Sequence, residues 1–248
     1  MTVTLTHIAR HPIKSHGRES LASVMLTADQ GLPFDRHWAV AHDAAKLVPG
    51  WNPCVNFARG TKAPELMAIS ARLDEATQTV TLIYPGKPDL IFRPDDPTDL
   101  THFLDWVRPM NPVDRAQPVQ IVTAGRAMTD TDFASLSIIG LASNCALADI
   151  MAQDISADRW RANLWIDGLT PWAEFDWIGR HLHIGPVVLQ VVERITRCRA
   201  TMANPQTGVI DADTLSALST HFGHQDFGVY ARVITGGAIF ADDVVHVV

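Results

Sequence analysis

Apolar residues in this chain come in short runs of strand length, cut every few residues by proline, glycine or Asn/Asp. That spacing favours a β-rich fold. Val3, Leu5 and His7 alternate with Thr4 and Thr6. Ser20–Leu26 predicts a further strand, and Asp35–Ala41 leads into another. Met67–Leu73 and Thr79–Tyr84 predict a hairpin turning at Asp74-Glu75-Ala76. Gln120–Thr123, Ser137–Leu141, Arg159–Ile166, and a hairpin around Gly185-Pro186 continue the pattern, with two strands about Gly236-Gly237 at the end. Helical spacing is confined to Asp99–Val107, a segment from Ser143 or Asn144 to Ala152 with Leu147, Ile150 and Met151 inward, and a short helix capped by Asp213. The expected class is α+β, β-rich and barrel-like. Pro109 and Pro112 break the chain, so the expected domains are residues 1–110 and 111–248.

Chemistry concentrates in Val191–Thr201, where a β-branched run delivers Cys198 between Arg197 and Arg199. Asn204-Pro205-Gln206-Thr207-Gly208 then supplies a turn. Two flanking guanidinium groups favour the thiolate, the form that attacks electrophiles and binds soft metals. As an ordinary strand, the same run would send both arginines to solvent. The three cysteines, Cys54, Cys145 and Cys198, are widely spaced. An odd count without Cys-x-x-Cys spacing argues against a disulfide framework and a zinc site, and fits a reducing cytoplasm. Cys145 is expected as a small buried hydrophobe, and Cys54 as a loop residue without a role.

A net charge of −7 argues against general nucleic-acid binding. Met1–Ile8 alternates and lacks the apolar centre of a signal peptide. No apolar run approaches the roughly 20 residues of a membrane span. In so acidic a chain, a cluster of cations is local. Lys14, Arg36, Arg161, Arg197 and Arg199 each fall at a strand end or on a strand face. Brought together around Cys198, they form an anion pocket containing a thiolate, since arginine forks and loop lysines suit phosphate. Ser15, Ser135 and Asn163 add neutral hydrogen bonds, and an alternating Arg159–Ile166 strand puts Arg159, Arg161 and Asn163 on one face. Phosphate contacts beside a thiolate point to a cofactor carrying both a phosphate and a soft metal.

Four stretches together resemble the MOSC family, in its branch of mitochondrial amidoxime-reducing components and their bacterial homologues. They are His11-Pro12-Ile13-Lys14-Ser15, Gly31–Trp38, Arg159–Gly168, and Arg197-Cys198 with the Asn204–Gly208 turn. The resemblance runs over essentially the whole chain and implies an N-terminal β-barrel domain followed by a MOSC domain. It implies a molybdenum cofactor, a molybdopterin, with Cys198 as thiolate ligand to the metal and as the catalytic residue. It assigns cofactor contacts to Lys14, Ser15, Arg36, Ala134, Ser135, Arg161, Asn163, Thr196, Arg197, Cys198 and Tyr230. The activity implied is reduction of N-hydroxylated or other N-oxygenated compounds, with electrons from a separate ferredoxin, cytochrome b5-like protein or flavin reductase. The rival expectation is a carrier that holds the cofactor, or a persulfide on Cys198, without turnover. The chain departs from the family pattern in four places. Phe34 replaces a glycine before Asp35-Arg36, and Ala162 replaces a proline. Glu174-Phe175-Asp176 stands for an acidic run, and Thr170 for an active-site acid. It also lacks a cysteine set for an iron–sulfur cluster.

Overall fold

The structure, a computed structural model, describes residues 2–248; Met1, the start of the amino-terminal stretch read above, lies outside them. The first half forms β1 (Thr4–Arg10), β2 (Glu19–Leu21), β3 (Ser23–Leu26), β4 (Trp38–His42), β5 (Ser70–Asp74), β6 (Thr79–Ile83), β7 (Leu90–Phe92) and α1 (Leu100–Val107). The second forms β8 (Pro118–Thr123), β9 (Leu136–Gly140), α2 (Leu141–Met151), β10 (Leu164–Asp167), β11 (His181–Ile184), β12 (Val187–Thr196), α3 (Thr214–Phe222), β13 (Asp226–Thr235), β14 (Gly237–Phe240) and β15 (Val245–Val247). The fold is α+β and β-rich, as its alternation predicts.

The halves interlock through the backbone. An eight-stranded sheet runs β15-β11-β12-β13-β9-β10-β1-β2, so two strands of the first half complete a sheet of the second. Within it, β9 and β10 are parallel and the other neighbours antiparallel. β3 pairs with β14, and β4 with β8. One apolar core lies against the large sheet, including Leu5, Ile138, Leu164, Val191 and Val229. A second gathers Trp38, Leu66, Val80, Phe92 and Phe103 beneath α1 and the β5-β6-β7 sheet. A third packs α2 and α3 around Trp160 and Phe227, whose rings stack at 3.7 Å.

Several local expectations are corrected, each because tertiary contacts outcompete local pattern. α2 starts at Leu141 after Gly140, not at Ser143 or Asn144. Glu174 reaches in from elsewhere and accepts from the Gly140 N–H at 3.3 Å and from Ser143 Oγ at 2.8 Å, a carboxylate at a helix N-terminus. Asn144 is spent on Trp160 and Ile155. Cys145 is exposed, and Ile150 is 41% exposed, so α2 buries a narrower face than its pattern promised. The strand read over Arg159–Ile166 shrinks to β10. Ala157–Trp160 is instead a 3-10 turn capped by Ser156, and Arg161 takes a left-handed conformation at φ 48°. Ser20–Leu26 breaks at Ala22 into β2 and β3, which join different sheets. After Gly236 the chain makes two more strands, not one.

Candidate functional site

β12 ends at Thr196, and the chain then turns into a 3-10 segment, Arg199–Met202, with Cys198 as its cap residue. The turn is held by Thr201, whose N–H and Oγ both donate to the Cys198 carbonyl at 3.1 Å. Cys198 is thereby left exposed at the wall of a cleft of about 460 Å3. Its Sγ lies 3.2 Å from Thr61 Oγ, a residue of the other half.

The cleft gathers residues from both halves. Of the sequence-derived candidates, Lys14, Ser15, Arg36, Ser135, Arg161, Asn163, Thr196, Arg197, Cys198 and Tyr230 all line it. Ala134 is not among the lining residues. Arg199, read as the second arginine beside the thiol, is exposed and also outside the lining. Thr170 is exposed and Phe175 buried in the large core, so neither of these departures from the family pattern lines the cleft.

The backbone bends sharply at the site. Ser15, Phe34, Arg36 and Arg161 have φ of 64°, 58°, 51° and 48°, a region costly for residues with a Cβ. Phe34 thus adopts the conformation that the family's glycine would favour. Its ring holds the bend by packing against His37 and Trp38 at 5.3 and 6.1 Å. Glycine is required at Gly228, at φ 77°, where a Cβ would sit 2.4 Å from the Ile138 carbonyl oxygen and 3.4 Å from Arg197 Nη2.

Arg36 is clamped between halves. Nη1 donates to the Asp35 carboxylate and Nη2 to the Arg161 carbonyl at 2.8 Å. Asp35 also accepts from the His11 N–H at 2.8 Å and from His11 Nδ1 at 3.2 Å. Burial alone would raise the Asp35 carboxyl, but Arg36 and His11 outweigh it and hold it well below the usual carboxylate range. Burial, then the charges of Arg161 and Arg36, lower His11 to about 3, so its ring is neutral and Nδ1–H is the donor. Lys14 Nζ donates to the Met128 carbonyl at 2.6 Å and to Asp130 at 2.7 Å.

Arg161 and Arg197 differ. Arg161 Nη2 donates to the Gly17 carbonyl at 3.0 Å, leaving Nη1 buried without a partner. Arg197 donates from Nε and Nη1 to the carbonyls of Phe227 and Trp160, both at 2.8 Å, leaving Nη2 buried and unpartnered. Burial and neighbouring arginines push Arg161 down to about 9; burial, against the opposing pull of Tyr230 and Cys198, takes Arg197 down to about 10. Both remain cationic at neutral pH. Two buried cations with spare donors are the groups that anion binding uses. Asn163 and Thr196 are largely spoken for: Asn163 Oδ1 accepts from Ser137, and Thr196 Oγ donates to Asp226 at 2.6 Å. Burial, then Asp130, raises the Tyr230 phenol above its usual value, so its hydroxyl stays protonated.

Sequence reasoning missed one wall. Cys54, Arg59, Gly60, Thr61 and Lys62 line the cleft, and Arg59 Nη1 lies 2.9 Å from Cys54 Sγ. Their only local signal is a cationic Gly-Thr turn after buried Phe57-Ala58. The Asn204–Gly208 turn works indirectly. Its Asn204 Nδ2 donates to Asp211 at 2.7 Å, and Asp211 in turn pairs with the buried Arg159 at 2.6 Å.

The fold is an interlocked β-rich chain in which both halves build one cleft holding a thiol and unpartnered arginines. Residues 2–108 match the model of the MOSC N-terminal beta barrel domain, and residues 126–246 match that of the MOSC domain. The chain belongs to the MOSC-domain family. It is 37% identical over 84 residues to "Molybdenum cofactor sulfurase" of Anopheles gambiae, covering 34% of this chain and 11% of that protein. It is 30% identical over 122 residues to "Mitochondrial amidoxime-reducing component 1" of Homo sapiens, covering 48% of this chain and 34% of that one. The matched stretches thus span well under two thirds of either relative. Among solved structures, the YUAD protein from Bacillus subtilis aligns with a TM-score of 0.48 at 13% identity, over 100% of this chain and 96% of that one. YiiM from Geobacillus stearothermophilus aligns with 0.36 at 18% identity, over 46% and 53%. Among the described residues, no helix is long and apolar enough to cross a membrane.

Proposed function

We propose that this protein is a molybdenum-cofactor-dependent oxidoreductase that removes oxygen from N-hydroxylated or related N-oxygenated compounds. The observation that carries the reading is the pair of buried guanidinium nitrogens, Arg161 Nη1 and Arg197 Nη2, left without partners in the cleft that exposes Cys198. They fit the phosphate of a molybdopterin, and the cleft is of the size that holds a small-molecule cofactor. Among the described residues, no cluster of three or more His, Cys, Asp or Glu could hold a metal alone. A metal at Cys198 therefore has to arrive with ligands of its own, as a dithiolene-bound molybdenum does.

In this reading Arg161 and Arg197 hold the phosphate, with Arg36, Lys14 and Ser15 contributed to the same cleft by the first half. Ser135, Asn163, Thr196 and Tyr230 complete the cradle, and Cys198 Sγ is the thiolate ligand. When bound, the metal–dithiolene unit supplies two-electron chemistry at the substrate's N–O bond. The overall balance is R–NHOH plus two electrons and two protons to R–NH2 plus water. The Tyr230 hydroxyl is a protonated donor at the wall, and Cys198 and Thr61 mark where the reacting end sits. A separate electron-transfer protein supplies the electrons: a ferredoxin, a cytochrome b5-like protein or a flavin reductase. We place the activity in the cytoplasm, on the free cysteines.

The test is molybdenum content measured beside turnover of benzamidoxime with an artificial donor, for wild type, Cys198→Ser and Cys145→Ser. Serine is a harder ligand of far higher pKa, so Cys198→Ser should keep the fold and lose activity by orders of magnitude. Cys145→Ser, on the exposed face of α2, should behave as wild type. Full activity in Cys198→Ser would sink the ligand assignment. A second reading, carriage of the cofactor or of a persulfide on Cys198, draws on the match to a molybdenum cofactor sulfurase. It predicts retained molybdenum, or a persulfide mass on Cys198, with no turnover.

A further inference from the structure

The segment from Cys54 to Ala63 has two faces. One, with Cys54, Gly60 and Thr61, lines the cleft beside Cys198. The other lines a separate pocket of about 180 Å3, closed by the segment from Asn111 to Ala116. Val55, Phe57, Ala63 and Pro112 give that pocket an apolar floor, and Arg59, Lys62 and Arg115 stand around it. No carboxylate is among its lining residues, although the chain as a whole carries a net charge of −7. Arg115 has only a long, exposed pairing with its neighbour Asp114 at 3.7 Å.

His42 adds a polar atom. Its Nε2 lies 2.8 Å from the Val55 carbonyl oxygen, which makes Nε2–H the donor. Its Nδ1 is buried and has no partner. With the proton on Nε2, Nδ1 is a lone-pair acceptor and offers nothing to a carboxylate, so the cations alone take the anion.

We propose that this pocket is a binding site for a small apolar carboxylate of about benzoate size. An apolar cavity of about 150 Å3 holds a benzene ring, so a pocket of this size admits one six-membered ring with its acid at the rim. Three cations in a pocket lined by no carboxylate take the acid, and Phe57 and Val55 take the ring. An inorganic phosphate would leave that apolar floor wet. Arg59 and Lys62 line both pockets. An acid bound here therefore fixes the wall that carries Thr61 against Cys198 Sγ. The site stands whether or not the cleft is an N-reductase centre.

The experiment is calorimetric titration of the intact protein with benzoate and, separately, with benzamide, its neutral isostere. Saturable benzoate binding at least tenfold tighter than benzamide is expected. Arg115→Glu and Ala116→Trp, both outside the cleft, should each weaken benzoate at least tenfold; Arg161→Ala, inside the cleft, should leave it within twofold. Equal affinities for benzoate and benzamide would overturn the proposal, as would absence of saturable benzoate binding by wild type. Loss of binding in Arg161→Ala with retention in Arg115→Glu would move the acid to the cleft and overturn it too. If Arg115→Glu fails to fold, Ala116→Trp still separates this pocket from the cleft, and unchanged benzoate affinity in a folded Ala116→Trp would overturn the proposal.

Discussion

On the cleft wall built from the first half, Lys14 and Arg36 each face a carboxylate, Asp130 and Asp35. On the wall built from the second half, Arg161 and Arg197 are bonded to carbonyl oxygens only, and each keeps a buried nitrogen free. All four are cations, and their states differ. A paired cation positions the chain around it. A buried unpaired one is kept at a cost in desolvation, and only an anionic ligand offsets that cost. The first wall therefore holds the cleft's shape, and the second, in the proposed reading, holds its ligand.

The largest effect should come from breaking the first wall. Asp35 is buried and takes bonds from His11 and Arg36. Asp35→Asn leaves Arg36 without its counter-charge, and breaking a buried pair from one side costs about 3–5 kcal/mol. Urea unfolding of the cofactor-free protein should show that loss. A loss below about 1 kcal/mol would mean that Asp35 and Arg36 do not hold the wall.

Acid should select the same wall. His11 backs Asp35, and His16 Nδ1 lies 2.8 Å from the Lys14 carbonyl oxygen. Burial, above all, lowers His11 to about 3 and His16 to about 4. Their unfolded counterparts titrate near 6.5, so below that pH the unfolded state binds more protons, and stability falls as pH drops. Between pH 6.5 and 5 the loss is about 2 kcal/mol per histidine. Unfolding midpoints at pH 7 and 5 should show it, and His16→Gln should remove about half. A curve flat across that range would refute the buried neutral histidines.

The second wall should respond in ligand affinity. Arg161→Ala removes a charged donor whose hydrogen bond to an anion contributes about 1.5–3 kcal/mol, roughly 10–150-fold in affinity. Molybdenum and pterin content after purification should fall accordingly. The cofactor-free protein should lose less stability than Asp35→Asn does, because the burial and like charge that push Arg161 down are relieved. If the variant unfolds readily while its folded fraction retains cofactor normally, Arg161 belongs with the first wall.

How much of this was legible in the sequence follows the same division. Lys14, Arg36, Arg161 and Cys198 could be placed together because each sits in a motif tied to a strand end. Whether a cation is paired could not be read, since Asp130 lies more than a hundred residues from Lys14 and meets it only through the fold. Arg199 shows the limit of adjacency: one step from Cys198, it turns to solvent. Arg59–Lys62 was missed because a cationic turn has no period, and only the packing of the first half brings Thr61 to Cys198. Ser143 and Asn144 looked like helix caps because their types favour caps. Glu174 took that role from 31 residues away. Phe34 stands where the family pattern has glycine, and it takes up a left-handed bend itself, which residue type alone does not announce.

The smallest expected effect would turn one wall into the other. Asp130 is the carboxylate that occupies Lys14 Nζ, and unlike Asp35 it is largely exposed, with 61% of its side chain accessible. Only the acid side of the pair is exposed, since Lys14 is buried, so Asp130→Asn should cost less stability than Asp35→Asn, whose carboxylate is itself buried. Lys14 would keep its bond to the Met128 carbonyl and lose its counter-charge. It would then join Arg161 and Arg197 as a cation without an acid. Inorganic phosphate should bind the cofactor-free variant a few-fold tighter than it binds wild type. The gain should shrink as salt rises from 50 to 300 mM, since charges in a solvent-open cleft are screened over about 8–10 Å at physiological ionic strength. Unchanged phosphate affinity would mean that Lys14 faces away from the anion, and the contrast between the walls would then rest on the arginines alone.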